Sequence, residues 1–512
     1  MRSLVGGIDQ KPQPGAYRTL ITHLISVTRR PAPMLAGIPV LLLMVVLTAG
    51  GCTPQDPVPD QPWRHVPAPP PHTDHRNLVD GPLPDGPSVT RTCLKCHDGE
   101  AQEVMATSHW TWLADTIRVS ADSAPIAIGK ANVINNFCIG VQPNLPRCTT
   151  CHAGYGWEDD SYDFTATENV DCLICHDTTG LYRKGLAGRV AEGVDLLAVS
   201  QQVGVPTRAN CGACHFAGGG GDAVKHGDMD GSMNFPSERI DVHMGRLEFS
   251  CQTCHQAEDH FIPGLMVSVR PQPETRVTCE DCHAAEPHLQ DRLNAHVAAV
   301  ACQTCHIPQM AVHWETKMSW DWSEAGRDGL VEDPHVYLKK KGSFTYAKLA
   351  TPEYYWFDGT AGRYLLGDPV HIDGVTDLNA PRGSIASTDA RIWPFKVHRG
   401  KQPYDTRHGY LTVPRTYGEG GYWTEFDWDR ANRIGMEMVD TPYSGFYGFA
   451  ETAMYWPLSH MVQPKDMALR CGDCHGESGR LDWHTLGFGA DPALRGGRTQ
   501  LGYLTAERGV AP

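Results

Sequence analysis

The sequence predicts a mainly α, loop-rich fold that is not organised around an ordinary apolar core, and three observations predict it. A pentapeptide C-x-x-C-H occurs eight times, beginning at Cys93, Cys148, Cys172, Cys211, Cys251, Cys279, Cys302 and Cys471. The first seven copies are confined to residues 93–306. The 512-residue chain carries 38 Pro and 52 Gly with 41% hydrophobic residues, which favours long irregular connections between short helices over extended apolar packing.

The motif explains where the missing apolar interior comes from. In C-x-x-C-H two thiols add to the vinyl groups of one haem and the histidine becomes the proximal ligand of its iron, so each pentapeptide is a complete attachment site. Composition alone would produce on the order of 0.03 such pentapeptides in a chain of this length, so eight imply eight covalent haems. The second cysteines are Cys96, Cys151, Cys175, Cys214, Cys254, Cys282, Cys305 and Cys474, and the proximal histidines are His97, His152, His176, His215, His255, His283, His306 and His475. Zinc ribbons, the competing use of C-x-x-C, need paired units and a reducing cytosol. At this motif density neighbouring porphyrins fall within electron-tunnelling distance of one another.

Cysteine usage and charge narrow the class. Sixteen of 18 cysteines belong to motifs, leaving Cys52 and Cys138, so an intrachain disulfide framework is not expected. The formal charge is −15, and removal of residues 1–51 would take away Arg2, Lys11, Arg18, Arg29 and Arg30 against Asp9 alone. Haem propionates add negative charge. Nucleic-acid binding is therefore disfavoured, and an anionic substrate needs a locally basic pocket.

Along the chain, residues 1–51 read as an export signal: Arg29-Arg30 precede an apolar run at residues 34–51. Ala49-Gly50-Gly51-Cys52 resembles a lipobox, so the expected location is periplasmic with Cys52 as a candidate lipid anchor to the membrane. Residues 52–90 form a proline-rich tether, in which His65, His72 and His75 read as solvent-exposed linker residues. Residues 91–310 form the seven-haem core. Residues 311–460 carry no motif but concentrate aromatics (SWDW, PEYYWF, RIWPF, GYWTEFDW), predicting a wrapping segment of mixed helix and short strands that returns distal histidines to the haems. Residues 461–512 hold the eighth haem and a tail.

Electron-transfer haems need a sixth ligand. His109, His226, His243, His296, His398 and His460 are best placed, and His260 and His288, which follow motifs closely, are further candidates. His313, His335, His371, His408 and His484 read as surface residues. In GGGGDAVKHGD, Lys225 precedes His226 within glycines that let backbone lie against a flat cofactor. Lys396, Arg399 and Lys401 around His398 are candidates for the basic pocket.

The segments NNFC, GYGW, DCLICHDTTG, NCGACHFAGGGGDAVKHGD, DVHMG, ACQTCHIP, IWPFKVHRGKQPYDT and MYWPLSHMV resemble the octahaem tetrathionate reductase family of periplasmic multihaem cytochromes c, from about Cys93 to Leu481. The resemblance implies seven bis-histidine haems and a second haem with lysine opposite its proximal histidine. On matching positions these are Lys225 and His152, with Asp222 and Cys138 nearby. Lys184 is a second candidate for the lysine; Lys225 is preferred because Asp222 and the glycine run accompany it.

Three functions compete. The first is a multi-electron reductase of tetrathionate, nitrite or hydroxylamine at the second haem, fed by a redox-partner cytochrome or a quinol-linked donor and acting on a small anion. The second is an electron carrier with all irons doubly ligated. The third is a hydroxylamine-oxidoreductase-like enzyme, whose cross-linking tyrosine has no evident counterpart here.

Overall fold

Each attachment motif builds its own turn of helix. The main-chain N–H of the proximal histidine reaches back four residues to the first cysteine in His97→Cys93 (3.0 Å), His176→Cys172 (3.0 Å), His255→Cys251 (2.9 Å), His283→Cys279 (2.8 Å) and His475→Cys471 (2.9 Å). His215 and His306 close the helices Arg208–His215 and Cys302–His306. Such a turn sets both thiols and the imidazole on adjoining faces. The second motif differs: the His152 N–H bonds Thr149 O at 2.9 Å, a tighter 3₁₀ closure.

This architecture comes from a computed structural model that describes residues 72–113, 116–117, 125–137, 139–264 and 276–495. The export segment, Cys52, His65 and Cys138 lie outside the described residues. Among the described residues no helix is long and apolar enough to cross a membrane.

The helices stay short because haem attachment, rather than an amphipathic stripe, sets their length. The longest among the described residues is Trp428–Met438, whose 11 residues start at the Asp427 cap. The mainly α expectation is corrected by residues 316–457, which form an eight-stranded sheet. Its strands are β1 (Thr316–Asp321), β2 (Tyr337–Leu338), β3 (Gly342–Ala347), β4 (Glu353–Phe357), β5 (Thr376–Asp377), β6 (Arg391–Asp405), β7 (Tyr410–Leu411) and β8 (Tyr447–Pro457). The strand order is β2-β3-β1-β6-β8-β5, with β4 and β7 also on β6.

β6 is the axis. It pairs antiparallel with β8 from Phe395↔Pro457 to Asp405↔Tyr447, while its other edge takes β4, then β1, then β7. One face of β6 is apolar: Phe395 and Val397 pack with Phe357, Ala361 and Ala453. The other carries Lys396, His398, Gly400 and Gln402, buried although mostly polar. Buried polar residues on alternate positions hide the period-two signal, which is why the strand reads from sequence as short.

The tether boundary at residue 90 is also corrected. Helix Gly86–Cys93 starts inside it, capped by Asp85 and Ser88, and buries Val89 and Thr90. Gln201 donates to Val79 O at 2.9 Å, so the folded body takes in the end of the proline-rich region.

Candidate active site

The structure sets seven of the eight proximal imidazoles against a second histidine. Ring-centre separations are 6.3 Å for His97–His75, 6.4 Å for His176–His260, 6.3 Å for His215–His109 and 6.2 Å for His255–His460. They are 6.1 Å for His283–His243, 6.2 Å for His306–His288 and 6.3 Å for His475–His296. Two imidazoles on one iron, each with a metal–nitrogen bond of ~2 Å and a ring centre ~1.1 Å further out, lie ~6.2 Å apart, so the pairs fit a haem iron between them.

In six of these rings the outer nitrogen is held as ligation requires. The Nδ1 atoms bond Thr73 O (His75, 2.7 Å), Gly204 O (His176, 2.8 Å), Pro263 O (His255, 2.7 Å), Glu103 (His260, 2.7 Å), Arg292 O (His296, 2.7 Å) and Asp491 (His475, 2.6 Å). A partner on Nδ1 orients the ring and leaves Nε2 for metal. Burial holds His109 and His215 below the usual histidine range, His215 at about 3, in the neutral form a metal needs.

Three sequence expectations are corrected here. His75 stands opposite His97 and is no linker residue; its signal is the proline-free stretch 72–81 after the run that ends at Pro71. His226 faces no proximal ring and packs edge-on to Trp456 at 5.0 Å. His398 gives Nδ1 to Asn136 Oδ1 at 2.9 Å, fully buried on the polar face of β6. Replacing His75 with alanine should therefore convert one haem to high spin, seen as a new high-spin ferric signal in electron paramagnetic resonance of the oxidised protein. An unchanged spectrum would return His75 to the linker.

His152 is the exception among the proximal histidines. No second histidine faces it among the described residues. It sits among Trp110, Trp157, Tyr162 and Phe164, with ring centres 4.8–5.9 Å away, and burial there lowers its pKa to about 4. Its Nε2 contacts Trp110 O at 2.9 Å and Nδ1 is buried without a partner. A half-buried, neutral, incompletely satisfied imidazole is chemically suited to a metal.

The two candidate lysines separate. Lys184 is committed to structure: its Nζ donates to His152 O (2.5 Å) and Gly154 O (2.9 Å) and pairs with buried Asp171 at 3.2 Å. Lys225 is half-buried, with Nζ 4.8 Å over the Trp456 ring. The exposed Asp222 accepts from Gly231 N at 2.8 Å.

The polar face of β6 is the floor on which residues 135–137 and the GGGGDAVKH segment meet. Asn136 donates to His398 O at 2.7 Å, and Gln402 donates to Asn135 O at 3.3 Å. Gly400 is required, because a Cβ there would lie 2.7 Å from that of Asn136. Phe137 then packs on Trp456 at 5.9 Å and under Gly219, at whose left-handed φ of +81° a Cβ would meet the ring at 2.8 Å. On the neighbouring stretch, Lys396 Nζ donates to Val224 O (2.8 Å), Lys225 O (3.1 Å) and Thr316 Oγ1 (2.5 Å), and Thr316 Oγ1 donates to Ala223 O at 2.7 Å. Lys396 is fully buried; burial drives its pKa well below the lysine range against the pull of Asp228. The basic pocket expected around His398 is thus closed: Lys396 is spent on carbonyls, Arg399 pairs with Glu353 (2.7 Å) and Lys401 with Glu451 (3.8 Å).

Thiols of different motifs also lie side by side: Cys93 with Cys172, Cys151 with Cys214, Cys211 with Cys251, and Cys279 with Cys302. Attachment sites one and three, two and four, four and five, and six and seven therefore adjoin. Eight such motifs in a single folded body, with seven facing histidine pairs, define a multihaem c-type cytochrome.

Comparison with known proteins agrees. The bacterial cytochrome c family matches residues 317–478. An uncharacterized protein of Archaeoglobus fulgidus is 22% identical over 223 residues, 33% of this chain and 74% of that protein. The crystal structure of octaheme cytochrome c from Shewanella oneidensis is 47% identical, with a TM-score of 0.78 over 83% of this chain and 98% of that one. The chain belongs to the octahaem cytochromes c.

Proposed function

We propose that this octahaem cytochrome is a multi-electron reductase whose substrate site is the second haem, held by Cys148, Cys151 and His152 with Lys225 as a replaceable ligand, and that its substrates are tetrathionate and small nitrogen compounds such as nitrite and hydroxylamine. One observation supports this reading over an electron carrier: seven proximal histidines face another histidine and, among the described residues, His152 does not. When bound, the haems at the seven paired histidines would supply electrons, and the haem at His152 would supply a coordination position.

The chain's own residues divide the remaining work. A lysine binds metal only when deprotonated, and holding it so at pH 7 against an ordinary pKa near 10.4 costs roughly 4.6 kcal/mol, so Lys225 is readily displaced. Asp222, three residues earlier, receives or orients the released amine. Cys138, the residue after Phe137 in the sequence, supplies a thiolate. It attacks a central sulfur of tetrathionate, the S–S bond breaks, and thiosulfate leaves; two electrons then cleave the cysteine–thiosulfate disulfide to thiolate and a second thiosulfate.

Electron paramagnetic resonance of the oxidised protein with and without tetrathionate, nitrite and hydroxylamine tests the reading, because it counts haems that are not bis-histidine and shows which compound perturbs them. Eight identical bis-histidine signals, indifferent to all three, would leave the carrier. Cys138→Ala is expected to impair tetrathionate reduction by about tenfold or more while affecting hydroxylamine reduction far less. Equal losses for both substrates would remove the thiolate step.

A further inference from the structure

We propose that three carboxylates, Glu103, Asp228 and Asp491, are positioning residues that lower the reduction potentials of the third, fifth and eighth haems, each acting through one imidazole of the facing pair. Glu103 holds His260 opposite His176, Asp228 holds His460 opposite His255, and Asp491 holds His475 opposite His296. In all three pairs the other ring bonds a main-chain carbonyl: Gly204 O for His176, Pro263 O for His255 and Arg292 O for His296. One negative partner per pair is therefore the common pattern.

Each carboxylate is fixed by the chain around it. Asp491 Oδ1 accepts from His475 Nδ1 at 2.6 Å and from Ala493 N at 2.8 Å, while its Oδ2 accepts from Gly476 N at 2.7 Å. Asp228 Oδ2 accepts from Ser459 N (2.7 Å), His460 N (2.9 Å) and His460 Nδ1 (3.3 Å), and its Oδ1 is buried with no hydrogen-bond partner. Glu103, on the helix Glu100–Met105, meets His260 Nδ1 at 2.7 Å. A tight turn presents that ring: Asp259 and His260 carry left-handed φ values of +47° and +59°, and Phe261 N closes on Glu258 O at 2.8 Å.

A carboxylate on the outer N–H of an imidazole makes the inner nitrogen a stronger donor than a neutral carbonyl does. A stronger donor with a negative charge behind it favours ferric over ferrous iron, so the potential falls. Solvent decides the ranking. The carboxylate side chains are 2% exposed at Asp228, 10% at Asp491 and 35% at Glu103, so the first two keep most of their field and Glu103 loses part of it. Glu100, 3.3 Å from His97 Nδ1 but with both side chains open to water, falls outside the set. The fifth attachment site adjoins the fourth, and the fourth adjoins the second, so a low potential at the fifth favours electron delivery toward His152. The inference needs only the facing pairs, and it stands whether or not the second haem reduces a substrate.

A redox titration of the fully haem-loaded protein, followed through its low-spin ferric resonance signals, measures each midpoint. Asp228→Asn and Asp491→Asn keep the shape and an acceptor oxygen but remove the charge. Each should make reduction of one haem about tenfold more favourable, a rise of ~59 mV in that midpoint, with the other midpoints unchanged. Glu103→Gln should raise a third midpoint by a smaller factor, and Glu100→Gln should raise none. Midpoints equal to wild type in both asparagine variants would overturn the proposal. A new high-spin signal with no raised midpoint would overturn it too, because the carboxylates would then only support the rings. Should Asp228→Asn fail to mature, Asp491→Asn and Glu103→Gln, both nearer the surface, decide by the same criteria.

Discussion

Lys225→His is expected to lower reduction of both tetrathionate and hydroxylamine by about two orders of magnitude or more, equivalent to ~2.7 kcal/mol of lost transition-state stabilisation. Lysine must surrender a proton before it can bind metal, whereas imidazole is largely neutral at pH 7 and binds without that cost. On the proposed assignment, the substitution exchanges a displaceable ligand for a persistent one. The Gly219 turn against its Cβ and the Trp456 ring 4.8 Å from its Nζ limit how far the half-buried side chain can swing. Electron transfer among the other seven haems should persist, so reduction of the whole protein by a small dye is the internal control. Lys225→Ala complements it, since a side chain that cannot ligate should leave the second haem high-spin and reactive to added imidazole. Wild-type turnover in Lys225→His would dismiss Lys225 as the replaceable ligand and favour the carrier.

Legibility in the sequence followed the range of the interactions. Attachment is local chemistry: two thiols and an imidazole must sit within one turn, so all eight motifs and their proximal histidines could be read directly. Distal ligands are set by tertiary contacts, and the sequence shows only their residue type. His109, His243, His260, His288, His296 and His460 lie in facing pairs, whereas His226 and His398 have the same local appearance but different surroundings. His75 was hidden by the composition of the region before it. β6 was hidden by its own function, because Lys396, His398 and Gln402 point inward and erase hydrophobic alternation. The same residues made the run look like a basic surface, although Lys396 and His398 are 0% and 1% exposed.

Lys396→Met should disorganise the second site from a distance, and its effect distinguishes a floor that merely supports the loop from one that aims it. Ala223 carries a left-handed φ of +59°, and the stretch from Ala223 to His226 lies outside any helix or strand, so its carbonyls must find partners elsewhere. Two side chains serve them: Lys396 on β6 takes Val224 O and Lys225 O, and Thr316 on β1 takes Ala223 O. Removing the lysine leaves two buried carbonyls unserved at ~1–3 kcal/mol each, offset in part by no longer burying an amine. A net loss of about 2–4 kcal/mol in holoprotein stability is expected. More tellingly, the resonance signal of the haem proposed to bind Lys225 should broaden or split into several species while the signals of the other seven stay unchanged. A general packing defect would blur all of them. Thr316→Val should produce a weaker version of the same change and Thr316→Ser should restore the wild-type spectrum, because the hydroxyl alone is at issue. If Lys225→Ala alters the signal and Lys396→Met does not, Lys225 is the ligand but the β6 clamp has no part in directing it.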